Sequence, residues 1–77
     1  MNLKATKADD FSFRKGYYSL PGKNMEEFRL TVMKALGISK ESFYRRMRGQ
    51  TELRITEVEY IKGLFNKYGI TEIWGDK

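Results

Sequence analysis

Apolar residues recur with a helical period in three stretches of this chain, and the clearest stretch runs from Asn24 to Leu36. At 100° per residue its apolar side chains fall on one arc and its acidic side chains fall outside it, which predicts an amphipathic helix. Asn24 and Glu27 have the spacing of a capping box at the start of that helix. Gly37 supplies the left-handed residue that ends a helix. The apolar arc contains Met25, Phe28, Val32, Met33, Ala35 and Leu36.

A second, shorter helix is predicted directly after the connection Gly37-Ile38-Ser39, because Ser39 is a strong N-cap. Within residues 40–48, Phe43 and Met47 are spaced i,i+4, so both are expected to point towards the core. Gly49 ends the helix. Because the connection is so short, the two helices must turn sharply against each other. The opposite arc holds Glu41, Tyr44, Arg45 and Arg48, which places an aromatic ring and two guanidinium groups together on an exposed face.

A third helix is predicted to open at Thr56, which has Glu59 at capping-box spacing, and to end at Gly69. Its apolar stripe consists of Val58, Ile61, Leu64, Phe65 and Tyr68. Just before it, Leu53-Arg54-Ile55 alternates apolar, basic and apolar residues, as a short extended segment does. We therefore expect Leu53 and Ile55 to be tucked under the core.

Residues 1–22 show no helical period, and their aromatic residues are scattered among basic residues and glycines. They predict an arm that is flexible at its start and docked from about Tyr17 onward. At the other end of the chain, Ile73 and Trp74 are placed to cover the open end of a three-helix core. The fold class predicted by the sequence is all-α, with a small three-helix domain over residues 23–77, a short C-terminal turn and the partly ordered arm 1–22.

The amino-acid composition limits which catalytic and metal-binding sites the chain can form. With 77 residues the chain has room for one small domain. Because it contains no Cys and no His, the usual thiolate and imidazole ligands, nucleophiles and general bases are missing, so we expect no enzyme activity, no cofactor and no metal. No apolar run exceeds two residues, which predicts a protein with no membrane span that is located in the cytoplasm.

The positive charge of the chain is concentrated in one segment. The formal net charge is +5, and residues 40–48 alone carry four cations against the single anion Glu41. This nine-residue segment is therefore where an anionic partner is expected to dock. Part of its charge also has a simpler explanation, because Arg45, Arg46 and Arg48 lie near the C-terminus of a helix, where cations complement the helix dipole. An exposed Tyr44 among these arginines favours the nucleic-acid interpretation by roughly two to one.

The order of these elements resembles a known family. Leu36-Gly37-Ile38-Ser39 followed by FYRRMRG (43–49) resembles the phage repressor and Cro-type (lambda-repressor-like) helix-turn-helix DNA-binding domains, and the likeness covers roughly residues 24–68. The family usually has a small residue where this chain has Met33 and an apolar residue where it has Arg46, so the resemblance is to a variant or reduced form. The chain is also similar to short, functionally uncharacterised bacterial proteins that end like YGITEIWG (68–75), a likeness that implies no activity.

The resemblance implies that the second helix lies in the major groove with its N-terminal residues nearest the base edges. Arg45 and Arg48 can then bind guanine with both arms of the guanidinium group or hold a phosphate. Basic residues on neighbouring elements can contact the DNA backbone on either side. The implied DNA-binding residues are Ser39, Lys40, Glu41, Tyr44, Arg45 and Arg48, and the phosphate contacts are Lys23, Lys34 and Arg54.

Two functions remain open at this point. The first is sequence-specific binding of double-stranded DNA by a small transcriptional regulator of phage or mobile-element type, acting as a homodimer or with another protein. The second is a protein-interaction module that uses the same scaffold and its basic patch to bind an acidic protein. The arm carries a weaker signal, since its basic and aromatic residues can follow a minor groove or can simply be disordered. Those residues are Lys4, Lys7, Arg14 and Lys15 with Phe11, Phe13, Tyr17 and Tyr18.

Overall fold

Four helices follow one another in the computed structural model, which describes residues 12–75. They are α1 (Arg14–Ser19), α2 (Gly22–Leu36), α3 (Lys40–Met47) and α4 (Ile55–Lys67). The all-α class predicted from the sequence is confirmed, with one helix more than the three expected. That additional helix, α1, lies in the segment predicted to be an arm.

The segment before α2 belongs to the core. Phe13 is fully buried, and its ring makes edge-to-face contacts with the rings of Phe28, Phe43 and Phe65 at centroid distances of 6.4, 5.6 and 6.0 Å. Ser12 is buried as well, and its hydroxyl donates to the carbonyl oxygen of Met47 at 2.8 Å. Contact with the core therefore already includes Ser12 and Phe13, ahead of the position near Tyr17 where docking was expected. Of the residues considered for a minor-groove arm, Phe13 and Tyr17 are buried in the core instead, while Lys4, Lys7 and Phe11 lie outside the described residues.

The C-terminal segment holds α1 in place through the backbone. The N–H groups of Lys15 and Gly16 donate to the carbonyl oxygens of Gly75 and Ile73, both at 2.9 Å, and Gly75 N–H donates back to Ser12 O at 2.7 Å. These bonds satisfy first-turn donors of α1 that have no partner within the helix. Ile73 is buried and Trp74 is half-buried, which confirms that they cover the end of the core.

Helix α2 starts before the predicted capping box. Its N-cap is Pro21, whose carbonyl oxygen accepts from the N–H groups of Asn24 and Met25 at 2.8 and 3.2 Å. Asn24 is therefore inside the helix, and the capping-box prediction for Asn24 and Glu27 is wrong. The helix gains its first turn because Pro21 already has the extended backbone of an N-cap, with φ −60° and ψ 149°.

The connection between α2 and α3 is as predicted. Gly37 adopts the left-handed conformation with φ 66°, and Ile38 N–H donates to Met33 O at 3.0 Å, so the last turn of α2 is closed. Ser39 caps α3, because its Oγ accepts from the backbone N–H of Ser42 at 3.1 Å. A short connection of this kind brings α2 and α3 into direct packing contact.

Helix α4 starts two residues after Leu53, with Arg54 as its N-cap. The carboxylate of Glu57 accepts from the backbone N–H of Arg54 at 3.3 Å, so the cap involves these residues, and the predicted pair of Thr56 and Glu59 is wrong. Leu53 is buried as expected, whereas Ile55 is 70% exposed, which contradicts its predicted place under the core. Helical geometry at position 55 ends the extended alternation that would have turned this side chain inward.

The core is dominated by aromatic rings. Phe28 and Phe65 stack at a centroid distance of 4.2 Å, which joins α2 to α4, while Phe43 brings α3 against them. Edge-to-face and stacked pairs of this kind stabilise a core beyond their buried area. The buried apolar residues are Phe13, Tyr17, Leu20, Phe28, Val32, Phe43, Met47, Leu53, Ile61, Phe65 and Ile73.

Candidate nucleic-acid interface

Helix α3 presents one side to the core and a charged side to solvent. Phe43 and Met47 are buried, as their spacing predicts. Ser39, Lys40, Glu41, Arg45 and Arg48 are all exposed. Glu41, Arg45 and Arg48 share the arc opposite Phe43 and Met47, whereas Ser39 and Lys40 are exposed at the N-terminal end of the helix. The burial of two large apolar side chains therefore determines which side of α3 faces outward.

The cations on this surface differ in their availability. Arg45 Nη2 lies 3.1 Å from Glu41 Oε2, an i,i+4 ion pair in which both side chains are more than half exposed. Within residues 12–75, Lys40 and Arg48 form no ion pair with a carboxylate. A solvent-exposed ion pair is weak and exchanges readily, so Arg45 is only partly neutralised. The net positive charge on the exposed surface of α3 comes chiefly from Lys40 and Arg48.

Tyr44 is half-buried, and not exposed as the sequence suggested. Its ring packs edge-to-face against Tyr17 and Phe43 at 6.4 and 5.3 Å. The ring also meets Arg48, whose Cζ lies 6.0 Å from the ring centroid, within the range of a cation–π contact. Helix α1, which the sequence pattern does not reveal, provides the covering side chain Tyr17. Tyr44 therefore lies at the boundary between the core and the charged surface.

Arg29 is a member of this site that sequence reasoning missed. It lies on α2 with a half-buried side chain, and its Nη1 donates to Tyr44 Oη at 3.5 Å. Its Nε is buried and has no hydrogen-bond partner among the described residues. The signal in the sequence is that Arg29, at 100° per residue, falls inside the apolar arc of α2, between the directions of Leu36 and Met33. The guanidinium group of Arg29 therefore contacts the Tyr44 hydroxyl from the side of α2.

The two tyrosines of this cluster have opposite electrostatic environments. Burial, together with a hydrogen bond to Tyr44, raises the pKa of Tyr17 to about 12. The hydrogen bond from Tyr17 and the positive charges of Arg29 and Lys40 lower the pKa of Tyr44. The hydroxyl of Tyr44 is thus surrounded by donors and cations, which favours its role as a hydrogen-bond acceptor.

Arg46 is directed away from the candidate interface. Its Nε lies 3.3 Å from Glu57 Oε1, its Nη2 lies 3.5 Å from Glu57 Oε2, and its Nη1 donates to the hydroxyl of Ser42. The side chains of Arg46 and Glu57 are only 16% and 12% exposed. This bidentate pair joins α3 to α4. The charge that Arg46 contributes to the segment 40–48 is therefore used inside the fold.

The three predicted phosphate contacts are exposed but lie apart from one another. Lys23 and Lys34 are in the first and last turns of α2, which places them about 16 Å apart along its axis. Lys34 is on the turn that leads into Ser39, whereas Arg54 is the N-cap of α4, next to the Arg46 side of α3. Lys34 and Arg54 therefore belong to the two elements that contact α3, whereas Lys23 lies at the opposite end of α2 from Lys34.

Met33 is half-buried and packs against the edge of the core, where the resemblance would place a small residue. Its flexible side chain fills this position while α2 and α3 remain in contact. The chain matches no family model, no curated protein and no solved structure. The likeness to phage repressor-type domains therefore stays a prediction.

Residues 12–75 contain neither a metal-binding cluster nor a membrane-spanning helix. No group of three or more acidic side chains in this part of the chain could hold a metal ion. None of the helices within the described range combines the length and apolar character needed to cross a membrane.

Proposed function

We propose that this protein binds double-stranded DNA in a sequence-specific manner, as a small transcriptional regulator of phage or mobile-element type. The observation that carries the proposal is the exposed surface of α3, where Lys40 and Arg48 have no carboxylate partner among the described residues and Arg45 is held only by an exposed ion pair. A short helix presented in this way by a sharp turn is suited to entering the major groove.

In such a complex the residues of α3 lie at different depths in the major groove. Lys40 and Glu41 are at the N-terminus of the helix, nearest the base edges, and Tyr44 is one turn further along. Glu41 can accept from the amino group of cytosine, which would free Arg45 from its ion pair to reach guanine. Arg48 remains over the Tyr44 ring and is directed to guanine or to a phosphate.

Backbone contacts fit around this helix. Ser39 and the free N–H groups at the start of α3 face a phosphate in the usual way for a helix N-terminus. Lys34 and Arg54 are exposed on the two elements that contact α3 and are the favoured backbone clamps, while Lys23 contacts a more distant phosphate. We also propose that the protein is cytoplasmic, that it has no catalytic role, and that it uses neither a cofactor nor a metal.

The test is a titration of isotope-labelled protein with random-sequence duplex DNA at low and at moderate salt. We expect amide resonances of residues 39–48 to move first and the affinity to fall steeply with salt, because each neutralised phosphate contributes about −0.9 to the slope of log K against log salt. A parallel titration with an acidic polypeptide examines the alternative function. Tighter binding to that polypeptide, or shifts confined to another face, would reject DNA binding.

A further inference from the structure

Helix α4 carries a groove on the side that does not face the core. Its lining consists of Glu59, Tyr60, Gly63, Leu64 and Lys67. Tyr60 is 37% exposed, and Leu64 is half-buried with part of its side chain packed against the core, so these two residues form an apolar wall along the groove. Glu59 and Lys67 form its two ends. Within residues 12–75, these five residues alone line the groove.

Gly63 lies at the centre of this groove, in the interior of α4. Its backbone has an ordinary helical conformation, since it is not among the glycines with positive φ. A Cβ at this position would meet no atom within 4 Å. Glycine weakens the interior of a helix, and nothing in the described fold requires it here. A glycine at this position allows the backbone of another molecule to approach α4 closely, because no side chain stands in the way.

The charges at the two ends are self-complementary. Glu59 and Lys67 lie one turn before and one turn after Gly63 in the same row along the helix. Neither forms an ion pair within residues 12–75. If a second α4 lies antiparallel with its two-fold axis at Gly63, each Glu59 meets the partner's Lys67, and this contact occurs twice. Tyr60 and Leu64 form the adjacent row and interdigitate with the same residues of the other copy.

We propose that α4 pairs with α4 of a second copy of this chain, antiparallel and centred on Gly63. The proposal rests on the proposed function for its purpose, because two copies allow two half-sites on DNA to be read together. The area available is small. Two helices of 13 residues, each about 20 Å long, bury less than the roughly 1,000 Å² typical of a stable interface. The pair is therefore weak in free solution and becomes stable when both copies are held on one DNA molecule.

The experiment is sedimentation equilibrium of the full chain in the absence of DNA, up to millimolar concentration at low salt. We expect the weight-average mass of the natural protein to rise above that of the 9.1 kDa monomer as the concentration increases. Glu59→Lys and Lys67→Glu should each remain monomeric, because both end contacts then bring like charges together. An equimolar mixture of these two variants should associate again, since each contact joins a cation to an anion.

Three further variants control for net charge, for the position of the charge and for folding. Glu59→Lys combined with Lys67→Glu has the net charge of the natural protein and should associate as it does. Lys62→Glu changes the charge as Lys67→Glu does, but its site lies on α4 outside the groove, so association should persist. Gly63→Gln should raise the melting temperature, because it introduces a better helix former, and yet remain monomeric because its side chain occupies the axis.

Three results would overturn the pairing. The first is that the natural protein stays monomeric at millimolar concentration. The same result is expected if the groove is covered by residues 1–11 of the same chain or serves an unrelated protein. The second is association that survives Glu59→Lys. The third is a mixture of the two single variants that fails to associate. Amide shifts of residues 39–48 with a single-half-site duplex report on DNA binding separately, so either proposal can fail while the other stands.

Discussion

Gly16 and Ile73 are in direct backbone contact. The N–H of Gly16 donates to the carbonyl oxygen of Ile73 at 2.9 Å, and a Cβ at position 16 would lie 3.0 Å from the Ile73 Cα and 3.1 Å from the Phe65 ring. The six residues of α1 are too few to form a stable helix by themselves. Their conformation depends on this contact with the C-terminal segment.

The first prediction concerns this contact. Gly16→Ala should destabilise the protein by about 1–3 kcal/mol, because overpacking against backbone cannot be relieved by a rotamer change. Gly22→Ala is the matched control, since a Cβ there meets no atom within 4 Å. Urea unfolding followed by circular dichroism measures both variants. Equal midpoints for the two would show that α1 is not pressed against Ile73.

The second prediction tests whether the segment before α2 is part of the core. Phe13→Leu should lower the free energy of unfolding by about 1 kcal/mol and Phe13→Ala by about 3–5 kcal/mol, because Phe13 is fully buried among three other rings. Tyr18→Ala removes a neighbouring aromatic side chain that is 62% exposed and should have a much smaller effect. Thermal or urea unfolding distinguishes the two positions, and a tolerated Phe13→Ala would contradict the core assigned here.

The third prediction separates two neighbouring arginines. Arg46→Ala should cost about 1–3 kcal/mol of stability, because it leaves the largely buried carboxylate of Glu57 without its partner. Arg45→Ala breaks only an exposed ion pair and should change stability by less than about 0.5 kcal/mol. A double-mutant cycle over Arg46 and Glu57 measures their coupling directly. Additive effects in that cycle would mean that the pair does not join α3 to α4.

The fourth prediction follows from the raised pKa of Tyr17. Because the folded state holds this proton more tightly than the unfolded chain, the resulting stability is fully present below about pH 10, the ordinary pKa of tyrosine. It is lost as the pH rises through the folded value of about 12. The lowered pKa of Tyr44 acts in the opposite sense, since its contribution is present above the ordinary pKa and is lost as the pH falls through the folded value.

For each protein, the quantity to compare is the loss in free energy of unfolding between neutral pH and the range from about pH 10 to about pH 12. This loss should be smaller for Tyr17→Phe than for the natural protein. Urea midpoints across this range provide the measurement. In a titration followed by phenolate absorbance, the last phenol to ionise should also disappear in Tyr17→Phe. If the absorbance curve keeps that last step, another tyrosine has the highest pKa.

The fifth prediction concerns DNA affinity. Arg48→Ala should weaken binding and reduce the salt slope by about 0.9 if Arg48 contacts a phosphate. If Arg48 contacts guanine, the variant should instead lose about 1–3 kcal/mol of discrimination at a single base pair. Lys62→Ala removes the same charge from α4 and should leave affinity nearly unchanged. Both melting temperatures should stay close to that of the natural protein, because both side chains are exposed.

Some of the candidate site was predictable from the sequence because it depends on residues close together in the chain. Ser39, Gly37 and Gly49 determine where α3 begins and how the chain enters and leaves it, and each acts on backbone groups within a few residues. The i,i+4 spacing of Phe43 and Met47 determines which side of α3 is buried. The all-α class and the outward side of α3 were therefore settled by local pattern alone.

Tertiary structure decided the rest, because the relevant partners are far apart in sequence. Helix α1 forms where no helical period is present, since its donors bind carbonyl oxygens of residues 73 and 75. Tyr44 is half-buried because α1 brings Tyr17 over it and α2 brings Arg29 beneath it. Arg46 looked like part of the basic patch until α4 supplied Glu57. Local pattern specified the cap and the buried face of α3, whereas only packing across the chain determines which charges remain free to bind a partner.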